Sequence, residues 1–457
     1  MLIFLSTDLR LYKKSRYLRY LKNVSAGDII YTAFNICGGF MKKKYRIFTA
    51  AAAVVAVVAV ITAALLMNPK NCETKIIVAT DTHYLSPRIN DKGAVFTNMV
   101  NNSDGKLVQY CEEIFSAFSG EVIKSKPDVL ILSGDLTLSG EKASHEDFAE
   151  KLQKIQDSGV QVLTIPGNHD ISSEYAYAFF GDEYEKTENI TAEEYRKLYY
   201  NFGIKQAESV DENSFSYLYK VNDGLYIMMI DTNAFGRGFV QEESLRWIEE
   251  CLSKAQQSGA EVITVTHQNV LAHNKLLSFG YQLYNYQSLL DLLNKYGVRC
   301  NLSGHIHMQH IAAEGGFTEI VTSSLLVAPV QYGVITYNGS IDYRTKAVDV
   351  SAWAKNNNAK DENLLDFESY ADEFFKSSGY KKSLLQLSAS EAPEREKKLI
   401  ARAFADINAG YFSGRVYDIS QYEEGISLCR EQGGFLSRYI DTLVEEAPID
   451  NTSVIIE

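Results

Sequence analysis

The sequence predicts an α/β protein in which two β-sheets lie face to face with helices outside them, an α-β-β-α layering. A C-terminal all-helical region follows, and an N-terminal transmembrane segment precedes it. Three observations predict this arrangement. Apolar strand-like runs alternate with helical periodicities from Lys75 to Asn338. The pattern then breaks into a polar, Asn-rich stretch at residues 354–363, beyond which the patterning is helical to about Glu446. Near the start, residues 47–67 form a run of 21 without a charge, long enough to cross the hydrocarbon core as a helix.

Lys42, Lys43, Lys44 and Arg46 stand directly before that run, which places residues 1–46 inside as a basic cytoplasmic tail and the rest outside. A cleaved signal peptide is the competing reading, because Met41 and the three lysines after it also form a good n-region. The two readings imply, respectively, a single-pass cell-membrane protein with an extracellular catalytic domain and a secreted one. Residues 1–46 carry a net charge of +8, which leaves −21 for the remainder of a chain whose total is −13. So acidic a remainder disfavours a nucleic-acid polymer as partner. The six cysteines show no CxxC spacing, so a metal site must draw on Asp, Asn and His.

Strand 75–79 (KIIVA) delivers Asp81-Thr82-His83 at its C-terminal end, and after helical 107–118 the strand 128–132 (DVLIL) ends at Ser133-Gly134-Asp135. Helical 145–158 and strand 160–165 then feed Gly167-Asn168-His169-Asp170. Further on, 214–218 and 225–230 read as a sheet pair ending at Asp231-Thr232-Asn233, and helical 241–257 precedes strand 261–266 with His267 at its tip. Helix 284–295 and strand 298–302 lead to Gly304-His305-Ile306-His307, and strands 318–322 and 333–338 complete a second sheet. Loops after parallel strands are where such folds place their sites.

The chemistry of these loops is that of a metal centre. An Asp and a His at i and i+2 on a tight loop can face one cation, a carboxylate such as Asp135 has two oxygens with which to bridge two, and Asn168 adds a neutral amide oxygen. Gly134, Gly167 and Gly304 allow close backbone approach. Five of only eight histidines (83, 169, 267, 305 and 307) fall in such loops. His145, His273 and His310 read as surface or supporting residues, with His273 and His310 within conceivable reach of a substrate.

In that order and spacing, Asp81-x-His83, Gly134-Asp135, Gly167-Asn168-His169-Asp170, His267 and Gly304-His305-x-His307 resemble the signature of the calcineurin-like metallophosphoesterase superfamily over residues 74 to 340. The longer form Gly134-Asp135-Leu136-Thr137-x-x-Gly140-Glu141 is most similar to its class III cyclic-nucleotide phosphodiesterase branch, including exported or membrane-anchored bacterial members with a helical C-terminal region. With the pattern break, the chain divides into an expected catalytic domain at 73–353, a linker at 354–363 and a helical domain at 364–457. The resemblance implies one metal held by Asp81, His83 and His307, another by Asn168, His267 and His305, and Asp135 bridging them. Mn, Fe or Zn suits the ligand set. By the same resemblance a metal-bridging hydroxide attacks phosphorus, His169 contacts the phosphoryl group and protonates the leaving oxygen, and Asp170 fixes the tautomer of His169. One departure stands out: His267 is followed by Gln268-Asn269, where many members have His-Pro.

The expected substrate is a small phosphoester, a phosphodiester such as a cyclic nucleotide, with a phosphomonoester or nucleotide as the alternative and a non-catalytic tethered binding protein as the third reading. Arg88 and Arg299 are the only arginines near a cluster in sequence, and so few cations tilt the reading toward the less charged diester. The C-terminal helices offer apolar faces for capping the cleft, self-association or a protein partner.

Overall fold

The computed structural model describes residues 73–233 and 238–457. Their strands form a six-stranded sheet, a seven-stranded sheet and a separate two-stranded hairpin. At the centre of the first sheet, β1 (Thr74–Ala79), β2 (Val129–Leu132) and β3 (Gln161–Thr164) pair in parallel, separated by the helices α1 (Ala94–Asn101), α2 (Cys111–Ser125) and α3 (Lys142–Asp157). A short hairpin of β4 (Tyr177–Phe180) and β5 (Glu183–Lys186) precedes helix α4 (Ala192–Leu198), whose Thr191 and Glu194 form a reciprocal N-terminal cap.

The second sheet begins with β6 (Ser209–Val210), β7 (Tyr217–Asn222) and β8 (Leu225–Met229). After α5 (Glu242–Ser258), stopped by left-handed Gly259, come β9 (Glu261–Val265), α6 (Tyr286–Lys295), β10 (Cys300–Ser303), β11 (His310–Glu314) and β12 (Phe317–Val321). Strands β8, β9, β10 and β12 are parallel neighbours. The chain then returns to the first sheet: β13 (Gln331–Tyr337) lies antiparallel to β1, and β14 (Ile341–Ala347) lies antiparallel to β13. Of the two final strands expected in one sheet, β12 is in the second and β13 in the first. Local patterning marks a strand but not its non-local partner.

Alternation along the strands builds the layers. Ile76, Val78, Val129 and Ile131 point toward Ile227, Met229, Ile263, Val265 and Leu302 of the opposite sheet, forming the buried core between the sheets. Their neighbours Ile77, Ala79, Leu130 and Leu132 face α2 and α3, while Met228, Ile230 and Val262 face α5 and α6. The α-β-β-α sandwich is therefore present.

Beyond β14 lie α7 (Val350–Asn356), α8 (Glu362–Leu365), α9 (Phe367–Gln386), α10 (Glu394–Ser413), α11 (Glu423–Gln432) and α12 (Gly434–Glu446). The last strand, β15 (Ser453–Ile456), then pairs with β14. The helices share a core with the catalytic side of the molecule, where Ile306, Met308 and Val321 pack with Ile400, Ile407, Tyr411, Ile440 and Leu443.

The transmembrane expectation requires correction. Residues 47–67 lie outside the described residues, and among the described residues no helix is long and apolar enough to cross a membrane. Helix α9 reaches 20 residues, but it carries Glu368, Asp372, Glu373, Lys376, Lys381 and Lys382. Charges of that density are too costly in hydrocarbon. The membrane partner and the single-pass cell-membrane topology with an extracellular catalytic domain rested on the transmembrane segment, and no helix among the described residues supports them. The four cysteines among the described residues are buried and unpaired.

Candidate metal centre

All five ligand loops leave the C-terminal ends of parallel strands, three from the first sheet and two from the second, so the sandwich brings them to one rim. Two clusters result, Asp81, His83, Asp135 and His307, and Asp135, His267 and His305, with Asp135 common to both. In the first, His307 Nε2 lies 3.2 Å from Asp81 Oδ1 and 3.1 Å from His83 Nε2. In the second, His267 Nε2 lies 3.3 Å from Asp135 Oδ1 and 3.1 Å from Asn168 Oδ1.

The backbone is bent to achieve this. Asp81, His83, Asp135, His305 and His307 all have positive φ, between 36° and 70°. Each such non-glycine residue costs on the order of 1–3 kcal/mol, strain that tends to gather at functional sites. Glycines make the close approaches possible. A Cβ on Gly167 would sit 2.1 Å from Asp135 Oδ1, and one on Gly304 would sit 2.0 Å from Thr80 Oγ1 and 2.6 Å from Asp81 Oδ2.

Neighbouring groups aim the ligand atoms. Asp81 Oδ2 accepts hydrogen bonds from Thr80 Oγ1 (2.7 Å) and the His305 amide (2.9 Å), while Oδ1 is buried without a hydrogen-bond partner. His267 Nδ1 donates to the Ser133 carbonyl at 2.9 Å, leaving Nε2 for the centre. His305 Nε2 donates to the Gly280 carbonyl at 2.8 Å, leaving Nδ1. Such outer contacts are how proteins fix the tautomer of metal-binding imidazoles. An orphaned buried carboxylate oxygen costs about 1–3 kcal/mol, which a cation removes. The donor set and this orphaned oxygen fit two divalent metal ions.

The electrostatics agree. Burial opposes ionisation of Asp135, but His267 and His169 outweigh it and hold the carboxyl well below its ordinary range. Asp81 is likewise depressed, burial being outweighed chiefly by His307. Burial pushes His305 down to about 4, with His267 adding to it, and drives His83 well below its usual value with the help of Lys106. Burial also lowers His267, yet Asp135 overcomes it and raises the imidazole to about 9. Ionised carboxylates and largely neutral imidazoles are the forms that bind metal, and His267 would release its proton on metal binding.

Around this centre the structure differs from the sequence reading in several particulars. His169 is half-exposed, with Nε2 3.9 Å from Asp135 Oδ2, but its Nδ1 donates to the Leu138 carbonyl at 2.9 Å, not to Asp170. The Asp170 carboxylate instead accepts from the amides of Leu136, Thr137 and Gly167 and from Thr137 Oγ1, tying the second and third loops together. Gln268, the departure from the His-Pro pattern, hydrogen-bonds Thr232 and Asn233 and reaches Asn168 Oδ1 at 3.5 Å. His145 is buried beneath Asp170, bonded to its carbonyl and to the Tyr199 hydroxyl. His273 and His310 are buried, Nδ1 to Nδ1 at 3.0 Å, with Glu319 and Glu446 against their other nitrogens. Neither arginine reaches the site: Arg88 pairs with Glu146 and Asp147, and Arg299 with Glu261.

Among the described residues, the cation that does approach is Lys106. Its carbonyl accepts from Ser103 Oγ, and the next amide, of Leu107, donates to Leu326 at 2.8 Å. That strand-end segment is itself stitched to the centre, Leu325 N–H to Thr80 O and Ser324 N–H to His307 O. The Lys106 ammonium depresses both His83 and His169 while interacting with Asp135 and Asp81.

Two clusters of hard oxygen and imidazole ligands sharing one carboxylate define a dinuclear metal-dependent hydrolase, and on this fold the reaction is phosphoester hydrolysis. The chain belongs to the calcineurin-like phosphoesterase family, whose match spans residues 74–309. Residues 349–450 match the C-terminal domain of cyclic nucleotide phosphodiesterase. A "Probable cyclic nucleotide phosphodiesterase" of Xenorhabdus bovienii is 23% identical over 253 residues, 55% of this chain and 85% of that one. A "Probable glycerophosphodiester phosphodiesterase" of Arcobacter nitrofigilis is 24% identical over 213 residues, 45% of this chain and 67% of the other. Among solved structures, a dimetal phosphatase from Danio rerio aligns with TM-score 0.42 at 12% identity, over 60% of this chain and 96% of that one.

Proposed function

We propose that the ester hydrolysed carries a dianionic phosphoryl group, a phosphomonoester or nucleotide, and the observation behind this reading is Lys106. Among the described residues its ammonium has no ion pair, although it is half-buried and lies close enough to the centre to act on His83, His169, Asp81 and Asp135. A second negative oxygen on the substrate gives that ammonium a partner. The scarcity of arginine that favoured a diester therefore loses its force.

Asp81, His83 and His307 would hold one metal, Asn168, His267 and His305 the other, and Asp135 both. When bound, the pair supplies Lewis acidity to the phosphoryl oxygens and lowers the pKa of an attacking water. The protein's own part is positioning and proton exchange. His169, with Nδ1–H committed to Leu138, presents Nε2 toward the substrate, where a proton passes to the leaving oxygen. Asp135 favours the protonated ring, but burial together with Lys106 and His307 outweighs it and lowers the imidazole, so that the proton is readily given up. Asp170 serves His169 indirectly, by locking the loop that carries it.

A second reading, a phosphodiester with cyclic nucleotides among the candidates, draws support from the printed names of the two curated relatives and from the C-terminal match. This reading corresponds to the class III branch that the sequence motifs resemble. Turnover of p-nitrophenyl phosphate against bis-p-nitrophenyl phosphate by the Mn-loaded chain separates the two. A monoester preference that falls in Lys106→Met supports the first, and a diester preference insensitive to Lys106→Met supports the second.

A further inference from the structure

We propose that the loop 278–284 is the specificity-determining edge of the metal centre, with Phe279, backed by Tyr284, stacking on a planar ring in the organic part of the phosphoester. The inference rests on the phosphoester-hydrolase reading of the centre. It names the chemical class of the leaving or retained group: an aryl or nucleoside unit, not an aliphatic alcohol.

The loop touches the metal site directly. Its Gly280 carbonyl accepts from His305 Nε2 at 2.8 Å, and the Tyr281 ring lies 5.4 Å from the His305 ring. One residue from that contact, Phe279 is 86% exposed, the most exposed of the large apolar side chains among the described residues, and Tyr284 is 62% exposed. Their rings meet edge to face with centroids 6.3 Å apart. A single exposed aromatic elsewhere on a surface needs no explanation, but a pair of water-facing rings beside a metal ligand offers a flat apolar face that is open to water among the described residues.

The loop is also braced, so the face is held in place and not left to wander. Asn269 N–H donates to Tyr281 O, and Leu283 N–H donates back to Asn269 O, closing the loop at its neck. On the other side, Asn274 Nδ2 donates to the Tyr411 hydroxyl at 3.1 Å and to Thr442 Oγ1 at 3.0 Å, and Lys275 pairs with Glu445 at 2.6 Å. Leu276, Leu277 and Tyr281 pack against the helical core. Helices α10 and α12 thus buttress the substrate edge, which gives the C-terminal region a role in recognition while leaving the chemistry to the strand-end loops. Lys106 acts on Asp81, His83, Asp135 and His169 of the same centre.

The test uses the full chain loaded with Mn. The specificity constant for p-nitrophenyl phosphate is divided by that for glycerol 2-phosphate in wild type, Phe279→Ala and Phe279→Tyr. Stacking of a ring on an aromatic side chain is worth about 1–3 kcal/mol, so Phe279→Ala should lower the aryl-over-alkyl ratio at least about fivefold, through KM, and Phe279→Tyr should restore it. Equal effects on both esters, or none on either, overturn the proposal. Should wild type hydrolyse neither ester, the hydrolase reading fails separately, and the loop is judged by calorimetric binding of adenosine 5′-monophosphate against ribose 5-phosphate. A wild-type preference for the nucleotide that Phe279→Ala abolishes sustains the stacking claim; absence of the preference, or its persistence in Phe279→Ala, overturns it.

Discussion

Replacing Gly167 by Ala probes the part of the centre that both metals share. The added methyl would stand 2.1 Å from Asp135 Oδ1, 2.2 Å from the Asp135 amide nitrogen and 2.8 Å from Cγ. One of those atoms is backbone, so the clash is not relieved by rotating a side chain. To reach ordinary contact, the loops after β2 and β3 must part by about 1 Å in a region packed as densely as a crystal. Asp170, whose carboxylate spans the same two loops through Leu136, Thr137 and Gly167, resists the parting. Overpacking of this kind costs roughly 1–3 kcal/mol of stability, and a 1 Å misplacement of catalytic groups costs on the order of 100-fold in rate. Because Asp135 belongs to both clusters, the variant should lose turnover about 100-fold and retain fewer than two metals per chain while remaining folded by circular dichroism. An alanine variant with wild-type turnover and both metals would refute the argued geometry.

Other consequences follow from single residues. Lys106→Met should lower kcat/KM for p-nitrophenyl phosphate by about 10-fold or more, the usual scale for losing a charge-assisted contact of roughly 1.5–3 kcal/mol, and affect the diester less. His145 is held neutral by burial, its pKa pushed down to about 4 from an unfolded value of 6.5. Its contribution to stability is therefore complete above pH 6.5 and is lost as pH falls through 4, about 3 kcal/mol in all. Urea unfolding of metal-free wild type and His145→Gln across that range should show the difference. Glu141 has the opposite sign: burial raises its carboxyl to about 7, so its neutral form is favoured below the unfolded value of 4.5 and stability falls as pH rises through 7. Glu141→Gln should consequently be the more stable protein at pH 8, by up to about 3 kcal/mol, and an equal or lower unfolding midpoint there would contradict the assignment.

The strand-end loops were legible because their chemistry is carried by side chains in short runs. Asp81 and His83, Asp135, His267, and His305 and His307 need only alternation and spacing to be found, and the sheets bring them together. What was not legible depends on contacts distant in sequence or made by backbone. Nothing local to Lys106 shows that the following amide pairs with Leu326, 219 positions on, which is what sets the lysine beside the centre. The Leu138 and Gly280 carbonyls, which orient His169 and His305, belong to every residue and have no signature. Gln268 appeared only as a departure from a pattern, and its bonds to Thr232 and Asn233 explain the position as a support for Asn168. The final strand β15 is four residues long and recognisable only by its pairing with β14.

The most direct measurement is metal content and p-nitrophenyl phosphate turnover of the apo chain titrated with Mn, for wild type and Asp135→Asn. A two-metal centre bridged by Asp135 predicts that wild-type activity rises to a plateau at two metals per chain and that Asp135→Asn loses most turnover and at least one metal. Wild-type activity that persists in chelator without metal, or an Asp135→Asn variant that keeps both metals and full turnover, would contradict it.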